Sequence, residues 1–320
     1  MKKRLLVPLL AAAALALSAP LAAPPEASAK LPVLGIADNN VSTLTDPRFR
    51  ALGVRHVRLT IPWNIFFRPN SRAAQRYNQW LDLARQRGRQ VMVAFTLGDY
   101  TSKRKRFRLA PLRLYLTMFK RFRARHPSVK EFIPWNEANH RFMPTRKGRG
   151  IKQAAQYYNG VRKRCTTRSG CKIVAGDVID AKGMSAWLKR FRRYAKYRPR
   201  LWGLHNYLGI AKGSSFTTRL MLRRVRGFVW LAETGGMVEH RGRKPKLRYS
   251  EARQLREMRY LFRLLNARRY RKRITRAYIY NWRQNTRNTW DSALITGGGR
   301  ERPAFFTVKR QAGLRGYKPF

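Results

Sequence analysis

Eight short apolar runs recur along the chain, and each is followed by a stretch with helical periodicity. They are 33–38 (VLGIAD), 54–60 (VRHVRLT), 90–96 (QVMVAFT), 129–134 (VKEFIP), 172–177 (KIVAGD), 201–207 (LWGLHNY), 228–233 (FVWLAE) and 277–282 (AYIYNW). A run that is apolar at nearly every position suits a strand covered on both faces, and strands separated by helices pair in parallel. Residues 72–87 carry Trp80, Leu81 and Ala84 on one helical face and end at Gly88, a helix-stop signal. Residues 111–125 carry Leu114, Met118, Phe119 and Phe122. Residues 250–268 open at Ser250, a plausible N-cap, and carry Leu255, Met258, Leu261, Phe262 and Leu265. Eight strand–helix pairs over about 290 residues match the α/β class and a (β/α)8 TIM barrel, which needs roughly 250. An open doubly wound sheet is the alternative, but no Gly-x-Gly-x-x-Gly follows a strand to cradle a dinucleotide. No repeat, long linker or low-complexity block divides 30–320, so it reads as one domain.

Composition enters where charge does. The chain has 71 Lys+Arg against 15 Asp+Glu, a formal net charge of +56. With 44% hydrophobic and 12% aromatic residues it is no disordered basic tail; it has enough apolar material for a packed core. No apolar run of about 20 residues follows the N-terminal region, which excludes a multi-span membrane protein.

Residues 1–29 read as a secretory signal peptide. Lys2, Lys3 and Arg4 precede a Leu/Ala-rich segment, and Ala27-Ser28-Ala29 is a small-x-small cleavage pattern. The expected location is secreted or otherwise outside the cytoplasm. Cys165 and Cys171 are the only cysteines, and in that compartment a small disulfide loop is the expected state. Two thiols without a nearby His make a poor zinc site, and we expect neither metal nor cofactor.

Acidic residues are so scarce that their positions carry information. Asp38, Asp99, Glu137, Asp177, Asp180 and Glu233 lie at or just past expected strand ends, where this barrel builds its active sites. Asp177 and Asp180 read better as caps of helices or loops. The two strongest signals are Pro134-Trp135-Asn136-Glu137-Ala138-Asn139 at the end of the fourth strand and Trp230-Leu231-Ala232-Glu233-Thr234-Gly235-Gly236 at the end of the seventh. Two carboxyl groups facing each other suit cleavage of a glycosidic bond. One donates a proton to the leaving oxygen, and the other, ionised, attacks the anomeric carbon or activates water.

These residues resemble the clan of (β/α)8 glycoside hydrolases with acid/base on strand four and nucleophile on strand seven, to which family 5 cellulases and family 39 xylosidases and iduronidases belong. The resemblance implies a retaining hydrolase of O-glycosyl bonds, β-linked, with Glu137 as general acid/base and Glu233 as nucleophile, and the N-terminal segment makes it a secreted one. It further implies that Asn136 binds the sugar 2-hydroxyl and that Arg58 braces the nucleophile. His205 and Tyr207 resemble a His-x-Tyr pair whose phenol touches the nucleophile, and Trp282 resembles the tryptophan under the sugar. Two positions depart from the pattern: Thr96 ends strand three where some members have His, and Ala138-Asn139 follows Glu137 where Pro is common.

Basic runs such as Lys103-Arg104-Lys105-Arg106 and Arg268-Arg269-Tyr270-Arg271-Lys272-Arg273 are dispersed and form no nucleic-acid motif, so they read first as a solvated surface. The partners expected are an oligosaccharide or polysaccharide, anionic under the charge reading, with electrostatic association to the cell envelope. Specific nucleic-acid binding is not expected, and the chain is expected to be a monomer. The alternative function is a catalytically inactive basic barrel that binds anionic envelope polysaccharide.

Overall fold

The computed structural model describes residues 30–242 and 246–319. The expected leader, 1–29, lies outside them. The strands in chain order are β1 (Val33–Ala37), β2 (His56–Pro62), β3 (Gln90–Thr96), β4 (Glu131–Ile133), β5 (Lys172–Ile173), β6 (Ala175–Ile179), β7 (Leu201–His205), β8 (Phe228–Thr234), β9 (Glu239–His240), β10 (Ile274–Tyr280) and β11 (Trp290–Asp291). Nine of them form one sheet in the order β5-β4-β3-β2-β1-β10-β8-β7-β6, with every pairing parallel. Only Val174 separates β5 from β6, and its N–H donates to Phe132 O at 2.8 Å. They are two halves of a single barrel strand, so the sheet closes on itself as a (β/α)8 barrel. β9 and β11 pair antiparallel and tie the loop after β8 to the loop after β10.

The strands form where apolar runs predict them, with two instructive differences. The fifth run is interrupted at Val174 and then continues to Ile179, two residues beyond 177. The last strand begins three residues before 277 and ends at Tyr280, two residues short of Trp282. Its start is masked in sequence by Arg276, a charge that reads as loop. Arg276 is in fact buried inside the barrel, where it pairs with Glu131 and lies over the Trp230 ring at 3.9 Å. Lys172 joins Glu131 at 3.1 Å, and together these groups plug the end where the strands begin.

Helices pack around the sheet. Ser71 caps the helix Arg72–Gln86 by accepting from the Ala74 N–H at 3.2 Å. Ser250 does the same for Glu251–Asn266 through the Arg253 N–H at 3.1 Å. Two apolar layers result. The outer one, between strands and helices, includes Phe95, Phe119, Phe122 and Phe132; the inner one includes Ala37, Met92, Ala94, Ile133, Ala232 and Tyr278. Burying each large side chain of this kind contributes about 1.5–3 kcal/mol relative to leaving it in water. Cys165 and Cys171 form a disulfide between the end of the helix Arg149–Arg164 and the start of β5. Among the described residues no helix is long and apolar enough to cross a membrane.

Candidate active site

The ends of β2, β4, β6, β7 and β8 converge on one mouth of the barrel. The chain leaving β4 is held against its neighbours before it turns: Asn136 N–H donates to Phe95 O at 2.7 Å and Ala138 N–H to Asp177 O at 2.8 Å. Asn139 then clamps Ile179, donating to its carbonyl at 2.9 Å and accepting from its N–H at 2.8 Å. This gives the departure after Glu137 a local structural role. Between the clamps Glu137 takes φ +46, a left-handed backbone that costs a residue with a Cβ about 1 kcal/mol or more and is found most often at functional sites.

Glu233, on β8, faces Glu137. One oxygen of each carboxyl, with one ring nitrogen of His205, all lie within 4.8 Å of one another. Glu233 has two donors aimed at it. Arg58 Nη1 donates to Oε2 at 2.9 Å, and the Tyr207 hydroxyl donates to Oε1 at 3.3 Å. Arg58, itself 1% exposed, also donates through Nη2 to Asn136 Oδ1 at 2.5 Å. A cavity of 240 Å³ opens above, lined among others by Asn39, Thr60, Asn136, the two glutamates and Tyr280.

Behind the pair lies a charge chain that the sequence reading did not assemble. His205 is fully buried, with Nδ1 3.2 Å from Glu137 Oε1 and Nε2 3.1 Å from Asp177 Oδ2. Asp177, also fully buried, lies 3.7 Å from Arg58 Nη2. It is therefore more than the loop cap expected of it: its Oδ2 accepts the Glu137 N–H at 3.4 Å, but it also pairs with His205 and Arg58. Asp180 is a cap: it accepts from the N–H groups of Leu208 at 3.0 Å and Gly209 at 2.7 Å.

Burial alone would keep the His205 ring neutral, but Asp177 and Glu233 beside it prevail and push it up to about 10. Burial opposes ionisation of Glu137, yet the hydrogen bond and charge of His205 outweigh it and hold Glu137 below its ordinary value. Burial also opposes ionised Asp177, and again His205, with Arg58, prevails and lowers it. At Glu233 burial prevails over the pull of His205 and Arg58 and raises the carboxyl. Three carboxylates against two cations leave one excess negative charge in a cluster of which Asp177, His205 and Arg58 are fully buried and the two glutamates half-buried. A single proton neutralises it, and that proton belongs to the glutamate pair rather than to either member. Among the described residues the same three donors, Glu137, His205 and Glu233, form the one group able to hold a metal, but the Arg58 guanidinium is already paired with Glu233 and opposes a second cation there.

Glu137, Glu233, Asn136, Arg58, His205 and Tyr207 therefore share one site, whereas Trp282 does not belong to it. Its ring is fully buried, edge-on to Phe49 and Phe305, with its indole N–H donating to Asp46 Oδ2 at 2.9 Å. A fully buried ring cannot stack on a sugar, so the expectation for Trp282 is corrected. Trp63, 3% exposed, is core as well. Besides Asp177, sequence reasoning missed Tyr280, which ends β10 and lines the cavity, and Trp290, whose half-buried ring meets Tyr207 edge-on at 4.9 Å. Placing the eighth strand two residues earlier would have exposed Tyr280.

No protein-family model and no curated protein matches the sequence. Solved structures do. A family 39 glycoside hydrolase from Bacteroides cellulosilyticus WH2 matches at TM-score 0.62 and 12% identity, over 89% of this chain and 64% of that one. GH5_18 from Streptomyces cattleya, in complex with GlcNAc, matches at 0.62 and 17%, over 90% and 81%. The beta-glycosidase BGL167 matches at 0.58 and 12%, over 92% and 98%. The chain thus spans under two thirds of the family 39 structure. At these identities the likeness shows the fold: the chain has the barrel that these glycoside hydrolases have.

Proposed function

We propose that the chain is a retaining glycoside hydrolase that acts outside the cytoplasm on β-linked sugars. One observation carries the reading: the Glu137 and Glu233 carboxyls look at each other over a shared cavity, with oxygens within 4.8 Å. Retaining enzymes hold their two carboxyls about 5–5.5 Å apart, and inverting ones hold them about 6.5–9.5 Å apart to admit a water between. The 240 Å³ cavity is below the ~300–1,000 Å³ of sites for drug-sized ligands and suits one sugar ring at the reacting position.

In the first step Glu233 Oε attacks the anomeric carbon, the glycosidic C–O bond breaks, and Glu137 gives its proton to the departing oxygen. In the second, water attacks the anomeric carbon, Glu137 takes the water's proton, and the ester to Glu233 breaks. Positive charge developing at the anomeric carbon favours ionised Glu233, and a leaving oxygen against Glu137 favours the shared proton there. Both select the working microstate of the pair. Arg58 and Tyr207 hold Glu233 in line, Asn136 meets the 2-hydroxyl, and His205 orients Glu137.

The test is a panel of neutral and acidic aryl glycosides with the wild type, Glu137→Gln and Glu233→Gln, together with the anomeric configuration of the first product by NMR. Each substitution should lower turnover by on the order of 10³-fold or more while sugar binding persists. No hydrolysis by the wild type on any glycoside would overturn the reading. The second reading, an inactive barrel that binds anionic envelope polymers, draws on the excess of Lys+Arg and predicts binding that neither substitution changes.

A further inference from the structure

A second concentration of charge lies at the opposite end of the barrel from the two glutamates. A cavity of 530 Å³ opens where β7 and β8 begin. Six cations line it and no carboxylate does: Lys189, Arg192 and Arg193 from the helix Met184–Tyr194, Arg198 and Arg200 from the loop that follows, and Arg226 just before β8. All six are exposed. The chain is basic throughout, but two other hollows differ. The 690 Å³ cavity beside β3 and β4 has Asp82 and Glu131 among its cations, and a 480 Å³ groove near the C-terminus has three arginines, Arg259, Arg263 and Arg310.

The cationic loop is prebuilt. Asn159 donates to Tyr194 O at 2.9 Å and accepts from Lys196 N–H at 2.9 Å, fixing its start. Its end is fixed by Phe228 N–H donating to Arg200 O at 2.7 Å, and Trp202 Nε1–H donates to Arg226 O at 3.1 Å. Gly227, at φ +85, lets the two arms touch, since a Cβ there would lie 2.1 Å from Arg200 O. Arg198 has φ +43, and Glu137 is the only other non-glycine residue with positive φ among the described residues. Backbone strain of this kind gathers at ligand clamps. Like charges gathered around one groove repel until an anion arrives. A loop already held in place spares the ligand the entropy of ordering it.

We propose that this groove binds a stretch of carboxylate-bearing glycan, apart from the catalytic pocket. Five of the six cations are arginines, whose planar forks meet carboxylates with two parallel hydrogen bonds. An anchored chain raises its own local concentration near the enzyme. The choice of a glycan over another polyanion rests on the glycosidase reading, whereas the groove as an anion site does not.

The experiment is fluorescence anisotropy of a labelled oligogalacturonate across a series of salt concentrations. It compares the full chain, the groove variant Arg198→Gln/Arg200→Gln/Arg226→Gln, and a variant of equal charge change, Arg259→Gln/Arg263→Gln/Arg310→Gln. The groove variant should bind roughly tenfold or more weakly and with a shallower salt slope, and the comparator within about twofold of wild type. Circular dichroism verifies folding, and single substitutions Arg193→Gln and Arg226→Gln read the same loss in smaller steps if the triple variant does not fold. Equal losses in both triple variants, or no saturable binding, would overturn the proposal. So would a single-stranded oligonucleotide of equal charge that binds tighter at the same groove, since it would assign the site to nucleic acid. Glu137→Gln should bind the probe like wild type, so failure of the catalytic reading and failure of the groove give different results.

Discussion

Gly203 lacks a side chain, and Asp177 occupies the room that this leaves: a Cβ at 203 would lie 2.3 Å from Asp177 Oδ1. Asp177 in turn holds His205, and His205 holds Glu137. Gly203→Ala should therefore displace the carboxylate and lower kcat/KM by roughly 10- to 100-fold, with a stability loss of about 1–3 kcal/mol from overpacking. Kinetics beside urea unfolding would check this, and unaltered kcat/KM in a destabilised variant would make Asp177 a packing residue only. His205 also ties stability to pH. Its ring rises from an ordinary 6.5 to about 10 in the fold. A raised value means that the stabilisation is fully present below pH 6.5 and is lost as pH climbs towards 10. Against His205→Gln, the wild type's urea midpoint should fall more steeply across that window, and parallel curves would remove the charged histidine from the account.

At the scale of elements, what the sequence disclosed depended on how local the cause was. The outer faces of β2 and β3 pack on helices through apolar runs, so periodicity found them, and Gly88 and Ser250 marked the end of one helix and the start of another. The WNE segment and Glu233 stood out because carboxylates are rare here. Three things stayed hidden because their causes lie across the barrel. Arg276 reads as loop until Glu131, 145 residues away, is beside it. Trp282 reads as platform until the fold buries its ring completely, edge-on to Phe49 and Phe305. Asp177 reads as a cap until β7 brings up His205, although the glycine at 203 within an apolar strand was a legible sign of a close neighbour. The disulfide was local and legible, and it staples a helix end to β5 at the end of the barrel away from Glu137. Removing it with Cys165→Ala/Cys171→Ala should lower stability by about 2 kcal/mol, the chain-entropy value for so short a loop. Urea midpoints would read that loss, and kcat/KM should remain within about twofold of wild type because the staple positions none of the site's side chains. A large kinetic loss would tie this loop to the catalytic end.

The whole molecule adds a field that no pair of residues describes. A chain of net charge +56 holds a site of three carboxylates and two cations, of which Asp177, Arg58 and His205 are fully buried and the two glutamates half-buried. A positive field favours ionised carboxylates, so it pulls the shared glutamate proton off at lower pH than the cluster would by itself. The alkaline limb of kcat/KM, which follows loss of the general acid's proton, should therefore lie in the acidic range. Salt discriminates between the field and the cluster. Arg58 and His205 lie within hydrogen-bonding reach of the carboxyls and are buried, so added ions barely screen them. The exposed arginines act over longer distances, and at 0.1 M salt the screening length is already about 10 Å. Raising salt from about 0.02 to 0.5 M should weaken only the distant contribution, let the proton be held longer, and move the alkaline limb upward by roughly half a pH unit. A neutral aryl glycoside is the substrate to use, since an anionic one would add its own salt dependence through binding. A limb that stays in place would mean that the local cluster alone sets the acid's proton affinity and that the surrounding charge serves the surface rather than the chemistry.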